Sequence, residues 1–461
     1  MHAPGDRMRH PRLGPLLPAL TGSRWKKGPG GTPTALAWLA FGGLLLGGCR
    51  GSTNTAAYLG QGAAARRALE ASVVNPKNAY SALRLARYQT GAAGDWTRLP
   101  IFNPPAEPIA AGELDQAAGA SATTLSGAAV PLALPPDGTS LDDAALLALG
   151  RQAFARYPTQ LAGYMRVALT SRAAAARTDL WVDPGAGVGG LVRARMPDGS
   201  VWLAVTCATC HTARAADGRL VDGLPNAALD VGRAILESQG VSPSASADPR
   251  AAWGPGRLDV STTAGTEPAR IPDLRPVRWL THLHQDATLR GSDPVTLAIR
   301  LETLIITAND QTIRPPRIVT LALAAYVRSL GDGLPAPEAA AAASPEGAAV
   351  FAASCAECHA APGFTGPPVA LSSVGTDPTL GRSADRGTGT YRVPSLRGVG
   401  SRGPLLHDGT IPSVAALFDP ARLTAPFAGR LHGAGPVSGH VYGLSLSDAD
   451  RRAVIAYLEH L

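Results

Sequence analysis

At 461 residues the chain has room for two or three domains. Only 5% of its residues are aromatic, while Gly (52) and Pro (40) are abundant, which fits an Ala-rich helical protein with long loops better than a β-sandwich. Five of the seven net positive charges lie in residues 1–49 and Lys77 is the only lysine beyond them, so no nucleic-acid footprint remains and a docking surface must rely on arginine.

In chain order, Arg24-Trp25-Lys26-Lys27 is a basic stretch and Thr34 to Gly48 an apolar one. The apolar run is about 15 residues, short for a span that needs about 20. It therefore reads as an export signal, with a single membrane anchor as the alternative. Leu46-Gly47-Gly48-Cys49 resembles a bacterial lipobox, which would make Cys49 a lipid-anchoring residue on the periplasmic side of a membrane. Residues 1–49 are the signal and 50–140 read as a tether and low-complexity linker. Within that stretch a short helix is expected from about Ala79 to Tyr88, and residues 91–140 are expected to be largely irregular.

Two haem domains are expected next, at 141–332 and 346–461, in a mainly α fold with long loops. Ser140 is the expected N-cap of the first helix, whose apolar positions Leu146, Leu149, Ala153 and Phe154 have helical spacing. The break falls at Leu334 and the run Ala339–Ala343. The second unit starts with Ser344 as N-cap and Pro345 in the first turn. Both units show Gly-x-x-x-Phe (Gly150, Phe154; Gly347, Phe351) and end on similar amphipathic helices containing Tyr326 and Tyr457. This resembles the helical frame of class I cytochrome c, in which a glycine-bearing first helix crosses an aromatic-bearing last helix. Phe351 lies four residues before Cys355, but Phe154 lies 53 before Cys207, so the first unit carries an insertion.

The chemistry rests on Cys207-Ala208-Thr209-Cys210-His211 and Cys355-Ala356-Glu357-Cys358-His359. Cys-x-x-Cys-His is the attachment sequence for c-type haem. The two thiols form thioethers with the haem vinyl groups, and the adjacent histidine is held against the iron. A zinc ribbon spaces its cysteine pairs by about 15–20 residues; here Cys210 and Cys355 are 145 apart. A thioredoxin-like pair needs only one motif and no histidine. Two covalent haem c groups are therefore expected, on Cys207, Cys210, Cys355 and Cys358, with His211 and His359 as iron ligands. The fifth cysteine is Cys49, so no disulfide framework remains.

The chain has only Met1, Met8, Met165 and Met196, so neither motif is followed by a methionine. His440, flanked by Gly439 and close to Gly443, is the candidate second ligand of haem 2. His282 and His284 alternate as on an extended strand, so one of them would face haem 1. Met165, inside the insertion, is expected to pack, with a ligand role at haem 1 as the alternative, and His460 to face solvent. His432 lies in the same Gly-rich loop as His440.

A longer signature follows the second motif: Tyr391-Arg392-Val393-Pro394-Ser395-Leu396-Arg397, then His407-Asp408-Gly409-Thr410. It resembles bacterial di-haem cytochrome c peroxidases, the tryptophan-modifying enzyme of methylamine utilisation and the di-haem rubber oxygenases. The likeness covers residues 346–461; Gly439-His440-x-Tyr442-Gly443 looks closest to the rubber-oxygenase branch. It implies an N-terminal haem that handles peroxide or oxygen and a C-terminal haem that passes electrons. It also implies His440 as the ligand replacing the peroxidase methionine, with Tyr442 as a weaker analogue, and His407 ordering its loop. The expected function is electron transfer between redox protein partners. The alternative is a haem-dependent peroxidase or oxygenase, with a small-molecule oxidant at an open haem 1. Glu302 is the one acid of the first unit noted for peroxide cleavage, and no role is assigned to it.

Overall fold

The computed structural model describes residues 55–461 except 61, 90, 137–140, 260, 262–264 and 425. The leader, Cys49 and Ser140 lie outside the described residues. Helix makes up 42% and strand 11% of the described residues.

The segment read as a tether is instead helical and packed. Helices α1 (Thr55–Gly60) and α2 (Gly62–Ser72) lead to α3 (Ala79–Arg87). Ala65, Ala68 and Leu69 recur at helical spacing and are buried. The Ala-rich composition that suggested low complexity is also the best helix-forming composition. Glu302, wholly buried, anchors these helices. It accepts from Tyr58 Oη at 2.9 Å and Tyr88 Oη at 2.5 Å, with Arg317 Nε 3.4 Å away. Glu302 is therefore committed to structure. Asn78 caps α3, and the first amides of that helix donate to Ala384 O and Asp385 O, far along the chain.

Helix α4 (Asp143–Arg156) is capped by Asp142, whose side chain accepts from Ala145 N. The insertion after it is partly a sheet. Strands β1 (Ala106–Pro108), β2 (Gln160–Leu161), β3 (Leu191–Arg195) and β4 (Val201–Val205) pair antiparallel in the order β1-β3-β4-β2. Strand β4 ends two residues before Cys207, so the sheet delivers the first motif. That motif is itself a one-turn helix, α5 (Cys207–His211). Then come α6 (Pro294–Ala308) and α7 (Arg317–Ser329), and, in the C-terminal part, α8 (Pro345–Ser354) and α9 (Asp448–His460).

The same helix crossing occurs twice. Where α4 meets α7, a Cβ on Gly150 would lie 2.1 Å from Ala322 O; where α8 meets α9, one on Gly347 would lie 2.1 Å from Ala453 O. Only glycine allows backbones this close. One helical turn on, Phe154 packs edge-on to Tyr326 (5.5 Å) and Phe351 against Tyr457 (5.3 Å). Ser344 does precede Pro345 at the start of α8, but its hydroxyl donates to Ala453 O rather than capping its own helix.

Residues Gly51–Leu461 cluster as one compact unit. The stretch at 334–343 expected to part the chain includes a helix, Pro337–Ala343, and the halves interleave around it. Arg270 N donates to His407 O, and Arg392 N to Gln285 O. Among the described residues no helix is long and apolar enough to cross a membrane.

Gly150→Val and Gly347→Val should each lower stability by about 1–3 kcal/mol, the usual cost of overpacking. Gly112→Ala, which meets no atom within 4 Å, is the control. Urea denaturation checks this; midpoints unmoved in both Val variants would mean that the crossings can open freely.

Candidate functional site

The second motif begins where α8 ends. Cys355 N donates to Phe351 O, Cys358 N to Cys355 O at 3.3 Å and His359 N to Cys355 O at 3.0 Å. This single tight turn brings both thiols and the imidazole to one cavity. His359 Nδ1 lies 3.1 Å from Phe364 O. An Nδ1–H donated to that carbonyl leaves Nε2 as the free lone pair. Burial pushes the imidazole down to about 4, and His440 adds to the shift. His359 is thus neutral at pH 7 with its ligating nitrogen available.

The cavity holds about 1410 Å³ of empty space including its open mouth, ample for a large cofactor. Cys355, Cys358, His359 and His440 all line it, among apolar walls that include Phe351, Val393, Leu405 and Phe418. His440 has φ +43°, a strained value for a residue with a Cβ. Its amide donates to Val374 O at 2.6 Å, and its Nδ1 is buried without a partner. Burial lowers its pKa, with Arg422 nearby adding to the effect. Gly439 is required beside it: φ is +77° and a Cβ would lie 2.2 Å from Thr376 N.

Arg422, which the sequence analysis missed, holds this loop. It is wholly buried and donates to Leu417 O, Val437 O and His440 O at 2.7–2.8 Å. Nothing in the local sequence marks it, because its partners are all backbone carbonyls. Tyr442 is half exposed and its hydroxyl donates to Ser373 O, so His440, not Tyr442, carries the unpartnered donor atom.

The first motif repeats the same clamp. His211 Nδ1 lies 3.1 Å from Pro272 O, and burial pushes this imidazole down to about 4 as well. Thr206 and Thr209 donate to Gly190 O and tie the turn to the sheet. Burial pushes Cys207 and Cys210 up to about 12 and Cys355 to about 11, so the thiols are protonated. A zinc site needs converging thiolates. Among the described residues no group of three or more His, Cys, Asp or Glu converges to hold a metal ion.

The remaining candidates separate clearly. His282 is partly exposed with Nδ1 near Thr281 Oγ1, while His284 packs edge-on to Tyr80 with its Nδ1 buried. His284 Nε2 accepts from Arg300 Nε. His407 lines the second cavity but stacks on Tyr391 at 4.4 Å, with Nε2 3.3 Å from its hydroxyl. His432 packs beside Gly254, and His460 bonds Ala456 O on an exposed helix end. Met165 is wholly buried in an apolar core. Three further arginines stand on the wall of the second cavity: Arg392, part of the signature after the second motif but without a role there, and Arg270 and Arg402, which escaped the sequence analysis.

Residues 344–461 match the family model for cytochrome c. This region is a cytochrome c domain. No curated protein matches the chain. Among matching solved structures is that of a MauG-like protein associated with microbial copper homeostasis. It is 17% identical, with 46% of this chain and 78% of that chain covered and a TM-score of 0.32. A cytochrome c domain implies covalent haem c. The residues present fit that group: two thiols one turn apart, a neutral imidazole with free Nε2, an unpartnered second imidazole and apolar walls.

Arg422→Leu would strip three carbonyls of their donor. The expected loss of stability is on the order of 3 kcal/mol, with faster amide exchange at residues 437–440. Exchange at the wild-type rate would contradict the role assigned to Arg422.

Proposed function

We propose that the chain is a di-haem c-type cytochrome that passes electrons between redox partners. The observation that carries this is the meeting of Cys355, Cys358, His359 and His440 in one cavity. When bound, haem supplies a one-electron iron couple. The protein residues do the rest. Cys355 and Cys358 would hold the ring covalently, and His359 presents Nε2 because Phe364 O engages its Nδ1. His440, fixed in the cavity by Arg422, Gly439 and Val374, would be the second imidazole to hold the iron. The apolar walls keep water from the ring. Two fixed neutral ligands suit electron transfer, since neither has to move or change protonation.

The clamp repeated at His211 supports a second haem on Cys207 and Cys210. A second reading, peroxidase or oxygenase chemistry at that haem, is favoured by one observation. His284 gives its Nε2 to Arg300 and keeps only a buried, unpartnered Nδ1, while His282 is partly exposed, so among the described residues a histidine sixth ligand there would rest on His284 Nδ1 alone. Export and a lipid anchor at Cys49 complete the proposal and would put the protein on the periplasmic side of a bacterial membrane. Labelling with a radioactive fatty acid should disappear in Cys49→Ser.

Low-temperature electron paramagnetic resonance of the oxidised protein, with and without cyanide, tests the ligand assignment. The C-terminal haem should give a low-spin signal that ignores cyanide and becomes high-spin in His440→Gly but not in Tyr442→Phe. A high-spin wild-type C-terminal haem would overturn the assignment of His440. A cyanide-sensitive high-spin signal from the N-terminal haem would select the enzymatic reading.

A further inference from the structure

Three arginines on the wall of the second cavity have no ion-pair partner among the described residues. Arg270 (5% exposed) and Arg402 (6% exposed) are buried, and Arg392 buries its Nε. They come from three separate segments, Arg270 from between the two motifs and the other two from loops after the second motif. None forms an ion pair among the described residues. Their few hydrogen bonds go to neutral acceptors. Arg270 Nε donates to Leu406 O at 2.7 Å, Arg402 Nη2 to Ser395 O, and Arg392 Nη2 reaches Gln285 Oε1 at 3.5 Å. Arg270 Nη1, Arg392 Nε and Arg402 Nε are buried with no partner.

The nearby acids form no ion pair with them. Asp273 pairs with Arg275 at 2.7 Å, Asp408 accepts from Thr410, and Asp286 accepts from Thr288 through Oδ1, its Oδ2 being buried without a hydrogen-bond partner. Burial lowers Arg270 to about 9 and Arg392 to about 10, each aided by its neighbouring arginines, so both remain charged at pH 7. Buried cations without anions are costly, and one missing partner leaves a large penalty. The wall is thus built for an anion that the polypeptide does not provide.

We propose that Arg270, Arg392 and Arg402 bind the propionate carboxylates of the haem at the second site; this rests on the haem reading above. Once Cys355 and Cys358 have used the vinyl groups, the two propionates are the anionic groups left on the porphyrin. Guanidinium is suited to them, because its planar fork matches a carboxylate. The arginines would also set the potential, since cations beside the ring disfavour the ferric state. Arg270 then ties the segment between the two motifs to the C-terminal haem.

The test uses the full-length, haem-loaded chain and its Arg270→Gln, Arg392→Gln and Arg402→Gln variants. Pyridine haemochrome counts haem, and spectroelectrochemical titration reads the potential of the C-terminal haem. At least one Gln variant should shift the ferric/ferrous equilibrium tenfold or more toward ferric, which is about 59 mV for one electron. The matching Lys variant should recover part of the shift, which a purely structural role would not produce. Equilibria within twofold of wild type in all three, with haem retained, would overturn the arginine proposal. A wild-type chain without haem would instead overturn the haem reading. If Arg270→Gln or Arg402→Gln fails to accumulate, Arg392→Gln and Arg392→Lys decide, because Arg392 is the least buried of the three side chains.

Discussion

Two backbone carbonyls, Pro272 O and Phe364 O, determine what the histidines of both motifs can do. A buried imidazole without a partner could take either tautomer. With Nδ1 engaged, Nε2 is the nitrogen left to bind metal. Burial keeps both rings neutral, and neutrality is a condition for ligation. The helix crossings, the sheet ahead of Cys207 and the left-handed Phe364 all serve to bring these carbonyls and rings together.

One segment serves both clamps. Pro272 holds His211. A few residues on, Trp279 packs against Gly363, where any side chain would clash, and Thr281 Oγ1 donates to Gly366 O at 2.6 Å. Phe364, between those two glycines, holds His359. The two motifs are therefore braced against a common strap rather than carried on separate modules. This is why the break read from Pro- and Ala-rich sequence at 334–343 does not divide the folded chain.

Much of the candidate site was legible because covalent haem attachment needs a fixed local spacing. The crossings were legible too, since Gly-x-x-x-Phe puts the small and aromatic residues on one helix face. Helix α3 (Ala79–Arg87) falls almost where a short helix from about Ala79 to Tyr88 was expected. What was missed depends on partners distant in sequence. Residues 55–72 read as a tether because alanine is ambiguous between loop and helix until Glu302 and its two tyrosines are in view. Asp142, not Ser140, caps α4, an ambiguity built into a run of three capping residues. Arg270, Arg402 and Arg422 left no local mark, because a bond to a backbone carbonyl, whether 7 or 136 positions away, imposes no residue type on its partner. Arg392 stood in the signature after the second motif but without a role, which on the proposed reading the cofactor supplies.

The central claim is that each Cys-x-x-Cys-His turn carries its own haem. The most direct test is the intact mass of the full chain made in cells competent for haem c assembly, compared with a Cys207→Ser/Cys210→Ser variant. The account predicts a mass excess of two haems in the first and one in the second. An excess of one haem in both would show that the first motif, despite its matching clamp, is not a haem site.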